Sequence, residues 1–140
     1  MRGESGQTSV LIVGFAFVLL LMVGVVVDAS AAYLQREGLN NLADGAALAG
    51  ADEVRGEPVY SGGLDEQVPI DRRVARQAVG AYFRGIGAYD DYPGLRFTIG
   101  IDEDEVVVRV NAPLDLPITV GGITDARVAA EAAAVVNVSE

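Results

Sequence analysis

The sequence predicts an α+β protein: one long N-terminal transmembrane α-helix carrying a small outer domain, in which a second helix packs on a three- or four-stranded antiparallel sheet. Three observations predict it. Residues 5–27 hold no charge, and 10–27 read VLIVGFAFVLLLMVGVVV. Apolar residues recur at helical spacing in 28–51 and again in 71–86. Beyond residue 94 the apolar period falls from 3.6 to 2, the period of a strand.

The first element follows from length. Twenty-three uncharged residues make a helix of about 34 Å, against a hydrocarbon core of about 30 Å. Val and Ile are mediocre helix formers in water. In lipid the backbone must satisfy its own hydrogen bonds, and that enforces helix. Val10, Leu11, Phe15, Phe17, Leu20 and Val27 are the expected membrane-facing anchors. Eighteen residues apolar on every face are too many for the core helix of so small a domain. A cleaved signal peptide competes, because Ala29-Ser30-Ala31 gives an A-x-A pattern. The long apolar run, the single Arg2 offset by Glu4, and Asp28 beside the site favour a retained anchor. Arg2 before the span and Asp28 after it place the N-terminus in the cytoplasm and the rest outside. Asp28 reads as a boundary residue among headgroups, or as a polar contact with a neighbouring subunit.

Composition agrees with this division. The chain is 51% apolar with a mean hydropathy of +0.32, yet its net charge is −10. Only Glu4, Asp28 and Arg2 are charged up to residue 28, so 29–140 carry nine of the ten excess negative charges. Organisation follows as 1–27 (short cytoplasmic end and span), 28–55 (helical extension) and 56–140 (outer domain).

Residues 28–51 lack proline and are rich in Ala, so the span is expected to continue outward as one helix of some forty residues. Leu34, Leu42 and Ala49 are expected on one flank, with Ala43, Ala46 and Ala47 nearby. A bend is expected near Gly38 and fraying near Gly45, with Gly50 and Gly56-Glu57-Pro58 as stops. The small-residue face serves either close packing within the chain or association with other subunits.

The motifs of this segment resemble a known family. Gly6 precedes the apolar run and Asp28 ends it. Tyr33-Leu34-Gln35-Arg36, Leu39-Asn40 and Ala43-Asp44-Gly45-Ala46-Ala47-Leu48-Ala49-Gly50-Ala51 follow. Residues 3–52 thereby look like the N-terminal module of TadE/TadG-like pilus-assembly proteins, pilin-like subunits of tight-adherence (Flp) pilus systems. Processed pilins carry Glu five residues into the mature chain. Here that position is Leu11 counted from Gly6, or Thr8 counted from Gly3, which is the TadG-like pattern rather than that of a major pilin.

Residues 56–69, GEPVYSGGLDEQVP, read as a linker. Asp71 can cap a helix whose apolar stripe is Val74, Ala78, Val79, Tyr82, Phe83 and Ile86, ended by Gly85 and Gly87. Leu95, Phe97, Ile99 and Ile101 form one alternating run, and Val106, Val108 and Val110 another. Asp102-Glu103-Asp104 lies between them at turn length, so a hairpin is expected. Leu114, Leu116 and Ile118 between prolines read as an extended edge or loop. In 125–138 Ala favours helix, but Val128, Ala130, Ala132, Ala134, Val136 and Val138 alternate, which favours a strand completing the sheet.

The chemistry available is narrow. There is no His, Cys or Lys, and all ten basic residues are Arg. Imidazole bases, thiol nucleophiles, Schiff bases and His/Cys metal sites are excluded. A pI near 4.3 argues against nucleic acid as partner. Asp102-Glu103-Asp104-Glu105 lacks the EF-hand spacing and reads as a solvated hairpin tip. Asp90-Asp91 reads as a turn. No catalytic constellation, cofactor site or small-molecule substrate is evident, and an enzyme is not expected. The resemblance implies a membrane-anchored pilin-like subunit, minor pilin or accessory, that assembles with the lipid bilayer and other pilus-assembly subunits through its N-terminal helix. Gly6, Asp28, Ala43, Asp44, Ala46, Ala47, Leu48 and Ala49 are the motif and packing residues it implies. The alternative is a single-pass, membrane-tethered acidic envelope-binding domain.

Overall fold

A computed structural model describes residues 4–61, 71–118 and 126–136, with the side chains of 4, 5 and 57–61 left aside. The first element is one α-helix, α1 (Glu4–Ser61), of 58 residues. It is followed by α2 (Arg72–Gly85), a short α3 (Ala88–Asp91), and the strands β1 (Arg96–Asp102), β2 (Glu105–Pro113) and β3 (Arg127–Val135). The fold is α+β, as the sequence predicts.

The long helix is longer than the sequence suggests. It is unbroken across Gly38 and Gly45 and passes Gly50, Gly56 and Pro58 before ending at Ser61. Gly50 does not stop it because Gly50 is buried: a Cβ there would lie 3.2 Å from both Val79 Cγ2 and Val106 Cγ1. Packing of this kind outweighs the roughly 1 kcal/mol that glycine costs a helix interior. The linker expected over 56–69 is thus helical to Ser61, and 62–70 lie outside the described residues.

The buried stripe of α1 is Leu39, Leu42, Ala43, Ala46, Ala47, Gly50, Ala51 and Val54, at alternating steps of three and one. Of the two residues expected to share the flank of Leu42, Ala49 does so, half-buried seven residues on at the edge of the stripe, whereas Leu34 is exposed. At about 100° per residue Leu34 falls opposite the middle of the stripe.

The sheet order is β1-β2-β3, all antiparallel. The hairpin forms as expected, with Asp102 opposite Glu105 and the two-residue loop Glu103-Asp104 between them. Such loops need a positive φ, which falls on Glu103 at 45°. The alternation in 127–136 is that of a strand: Ala130, Ala132, Ala134 and Val136 are buried and Val128 half-buried, while Val138 lies outside the described residues. β2 supplies Val106, Val108, Val110 and Ala112 to the same face.

α1 lies across β2 and β3, and α2 packs beside α1 and onto β1. The sheet therefore packs on two helices, not one. The division at 55/56 is one of composition; the core crosses it. Ala43, Ala46, Ala47 and Ala51 lie on the buried face of α1 and Ala130, Ala132 and Ala134 on that of β3. Small residues on both sides let helix and strand approach closely.

Asp71 caps α2, its Oδ1 accepting from the Arg73 N–H at 2.7 Å. The stripe of α2 is Ala75, Val79, Gly80 and Phe83, with Val74, Ala78 and Tyr82 half-buried; Ile86 is exposed, because α2 ends at Gly85 and the chain turns away. Phe83 meets the Phe97 ring edge-on, with centroids 5.2 Å apart. Asp90 and Asp91, expected in a turn, form the last turn of α3, and Gly87 precedes it with a φ of 71°.

Candidate functional site

α1 has two sides of different character. The first is the apolar run. Val10, Leu11, Phe15, Phe17 and Leu20 are 61–74% exposed and Val27 is 40% exposed. Within 10–27 only Gly24 is buried. Moving one such large side chain out of water is worth about 1.5–3 kcal/mol, so an uncovered run of this length does not persist in water. The helix is long and apolar enough to cross a membrane, and its apolar window is not the buried core of this domain.

The second side is covered by the chain itself, continuously from Gly24 to Val54. At the far end Ala43, Ala46 and Ala47 are fully buried against the domain. The small-residue face is thus filled from within. Asp44 and Leu48 are exposed, Ala49 half-buried, and Gly6 has nothing near it.

Two glycines in this stretch act as seats. A Cβ on Gly45 would lie 2.1 Å from Tyr82 Oη, and a Cβ on Gly38 would lie 2.1 Å from Tyr92 Oη. The expected bend and fray are instead places where tyrosines from α2 and from the turn after α3 close onto the helix.

Lower down, the chain after β2 lies along α1. Gln35 holds it at both ends of its amide: Nε2 donates to Pro113 O at 2.7 Å, and Oε1 accepts from Asp115 N at 3.1 Å. Asp28 Oδ1 accepts from Ile118 N at 2.9 Å. Asp28 is thus engaged by a backbone amide of its own chain. Leu114, Leu116 and Ile118 form a loop segment here, not a strand. Leu114 N still donates to Ala126 O at 2.8 Å, extending the ladder by one bond.

Arg127 ties the start of β3 to Asn111 Oδ1 at 2.8 Å and to Gly94 O at 3.1 Å. On the outer sheet face Arg109 pairs across the strands with Glu131, whose hydrogen bond and charge raise the Arg109 pKa. A shallow groove of about 500 Å³ lies between Tyr33, Arg36, Leu114 and Arg127. Among the described residues no cluster of three acidic side chains could hold a metal ion. The tip residues Asp102, Glu103 and Asp104 are exposed.

Sequence reasoning missed Gly24, Gln35 and the two tyrosine seats. One signal was available: Gly24, Gly38 and Gly45 are separated by multiples of seven, so they share a side of the helix.

Residues 6–53 match the Tad family model, "Putative Flp pilus-assembly TadE/G-like". No curated protein and no solved structure is significantly similar to the chain. The match ends one residue short of Val54, the last buried position of α1 in the described side chains. It covers both the exposed apolar run and the half of the helix that the domain encloses. Together with that run, it marks a membrane-anchored protein with a part in Flp/Tad pilus assembly. Residues 6–53 are its TadE/TadG-like pilus-assembly module.

Proposed function

We infer that this chain is a minor pilin or accessory subunit of a Tad/Flp-type pilus or related secretion apparatus. It is held in the cell membrane by α1, with its N-terminus cytoplasmic and its domain outside. One observation carries the reading. A single helix is bare and apolar over 10–23 and enclosed by the domain over 39–54, so membrane and domain are joined without a hinge among the described residues.

The mechanism is assembly, with no catalytic step. The span anchors the chain in lipid, and the exposed side of 6–38 packs against neighbouring helices. The face at Ala43, Ala46 and Ala47 is unavailable for that purpose because the domain occupies it. The same geometry supports retention of the span. Ala29-Ser30-Ala31 lies inside α1, between Asp28 and Gln35, which both bind the 113–118 segment.

A photoreactive amino acid at Leu20, and separately at Leu34, tests the reading in the native host. Both side chains are exposed. Crosslinks to other pilus-assembly subunits are expected, and loss of pili on deletion of the gene. Crosslinks to lipid alone, with pili unaffected by deletion, would replace this reading with that of a tethered envelope-binding domain.

A further inference from the structure

The segment Leu114-Asp115-Leu116-Pro117-Ile118 leaves β2 and travels down α1 towards the membrane. Its path is fixed at three heights. Gln35 binds it at Pro113 and Asp115, Asp28 binds the Ile118 amide, and Ile118 Cδ1 lies 3.9 Å from where a Cβ on Gly24 would stand. From residue 35 to residue 24 the helix descends about 16 Å. Five extended residues span about the same distance. The segment therefore descends along the helix, bending at Pro117 and Ile118, and its last side chain lies level with Gly24, about one turn inside the apolar run.

Three features of the segment suit that position. Leu114 and Leu116 are half-buried and Ile118 is 42% exposed, so the segment keeps apolar surface outward, with Ile118 at the height of the span. Gly24 is buried, with Ile118 packed over it at ordinary van der Waals distance from where a Cβ would stand. The Ile118 N–H would be an unpaired donor at the edge of the hydrocarbon, where a lost hydrogen bond costs several kcal/mol. Asp28 supplies the acceptor, which gives the acidic residue at the end of the span a physical task.

We propose that residues 114–118 form a second membrane contact, an apolar foot that enters the boundary between headgroups and acyl chains beside α1. The domain then rests on the bilayer surface instead of standing away from it on a helical stalk. Its orientation to the membrane is set by two contacts, the span and the foot. This inference rests on the reading that α1 spans the bilayer.

The chain contains no cysteine, so single-cysteine variants label cleanly. Ile118→Cys, Leu116→Cys, Phe17→Cys as the span reference and Asp104→Cys at the hairpin tip are each labelled with nitrobenzoxadiazole. The full chain is reconstituted in phosphatidylcholine/phosphatidylglycerol vesicles containing spin-labelled lipid. A foot lying about 5–10 Å into the interface predicts quenching at 118 and 116 about fivefold or more above that at 104. Quenching at 118 and 116 no greater than at 104, with 17 strongly quenched, refutes the foot and leaves the span intact. An unquenched label at 17 refutes the span and the foot together.

Discussion

Replacing Gly38 by Ala puts a methyl group 2.1 Å from Tyr92 Oη and 3.3 Å from Tyr92 Cζ. The first distance is more than about 1 Å short of contact, and the second is a tight fit. Two opposed terms follow. Ala in place of Gly within a helix favours folding by about 1 kcal/mol. Forcing the phenol away from its seat costs about 1–3 kcal/mol, since Tyr92 is half-buried against the core. Gly38→Ala alone is therefore expected to be neutral to about 2 kcal/mol destabilising. In a Tyr92→Phe background the nearest atom is Cζ at 3.3 Å, most of the steric cost disappears, and the same change becomes stabilising by up to about 1 kcal/mol. The coupling in this double-mutant cycle is about 1–3 kcal/mol. Denaturant unfolding of the full chain in detergent micelles, followed by near-ultraviolet circular dichroism of its five tyrosines, measures all four corners. Effects that add to within about 0.5 kcal/mol would refute the idea that Gly38 is a seat for Tyr92.

Three further outcomes are expected. Ala46 is fully buried, so Ala46→Leu overpacks the junction of α1 with the domain and lowers stability by about 2–3 kcal/mol, whereas Leu48→Ala, on the exposed side, changes it by less than about 0.5 kcal/mol in the same assay. Glu103→Gly relieves a left-handed conformation at the hairpin tip and raises stability by about 0.5–1 kcal/mol, read as a rise in the denaturation midpoint with unchanged slope. Asp28→Ala removes the acceptor of the Ile118 amide, and its hydrogen exchange, followed by NMR in micelles, should accelerate at least about tenfold while the core amides of β2 are unaffected.

The parts of the fold that were legible in the sequence are those governed by local periodicity. Ile99, Ile101, Val106 and Val108 alternate, and Asp102-Glu103-Asp104 lies between the two runs at turn length, so the hairpin could be placed to within a residue. Ala130, Ala132 and Ala134 gave a strand by the same rule, against their helical propensity, because tertiary pairing with β2 decides the matter. Asp71 was recognisable as a cap from its position before the stripe of α2. The end of α1 was not legible. Glycine signals a stop only where nothing packs on it, and the partners of Gly50, Val79 and Val106, lie 29 and 56 residues away in the chain. The same holds for Gly38 and Gly45, whose tyrosines are remote in sequence. Asp28 stood out by its place at the end of the apolar run, but the amide it binds lies 90 residues on and has no side-chain signature. The motif residues Ala43, Ala46 and Ala47 were found, and only the structure shows that this chain's own domain covers them.

The central claim is that the apolar half of α1 stays joined to the domain and holds it in the membrane. Intact mass and N-terminal sequencing of the native protein, extracted from the membrane fraction of its host, test this most directly. The account predicts a chain that retains residues 7–31, whether or not a leader ending at Gly6 has been removed. A native chain beginning at Ala32 and recovered without the membrane would contradict it.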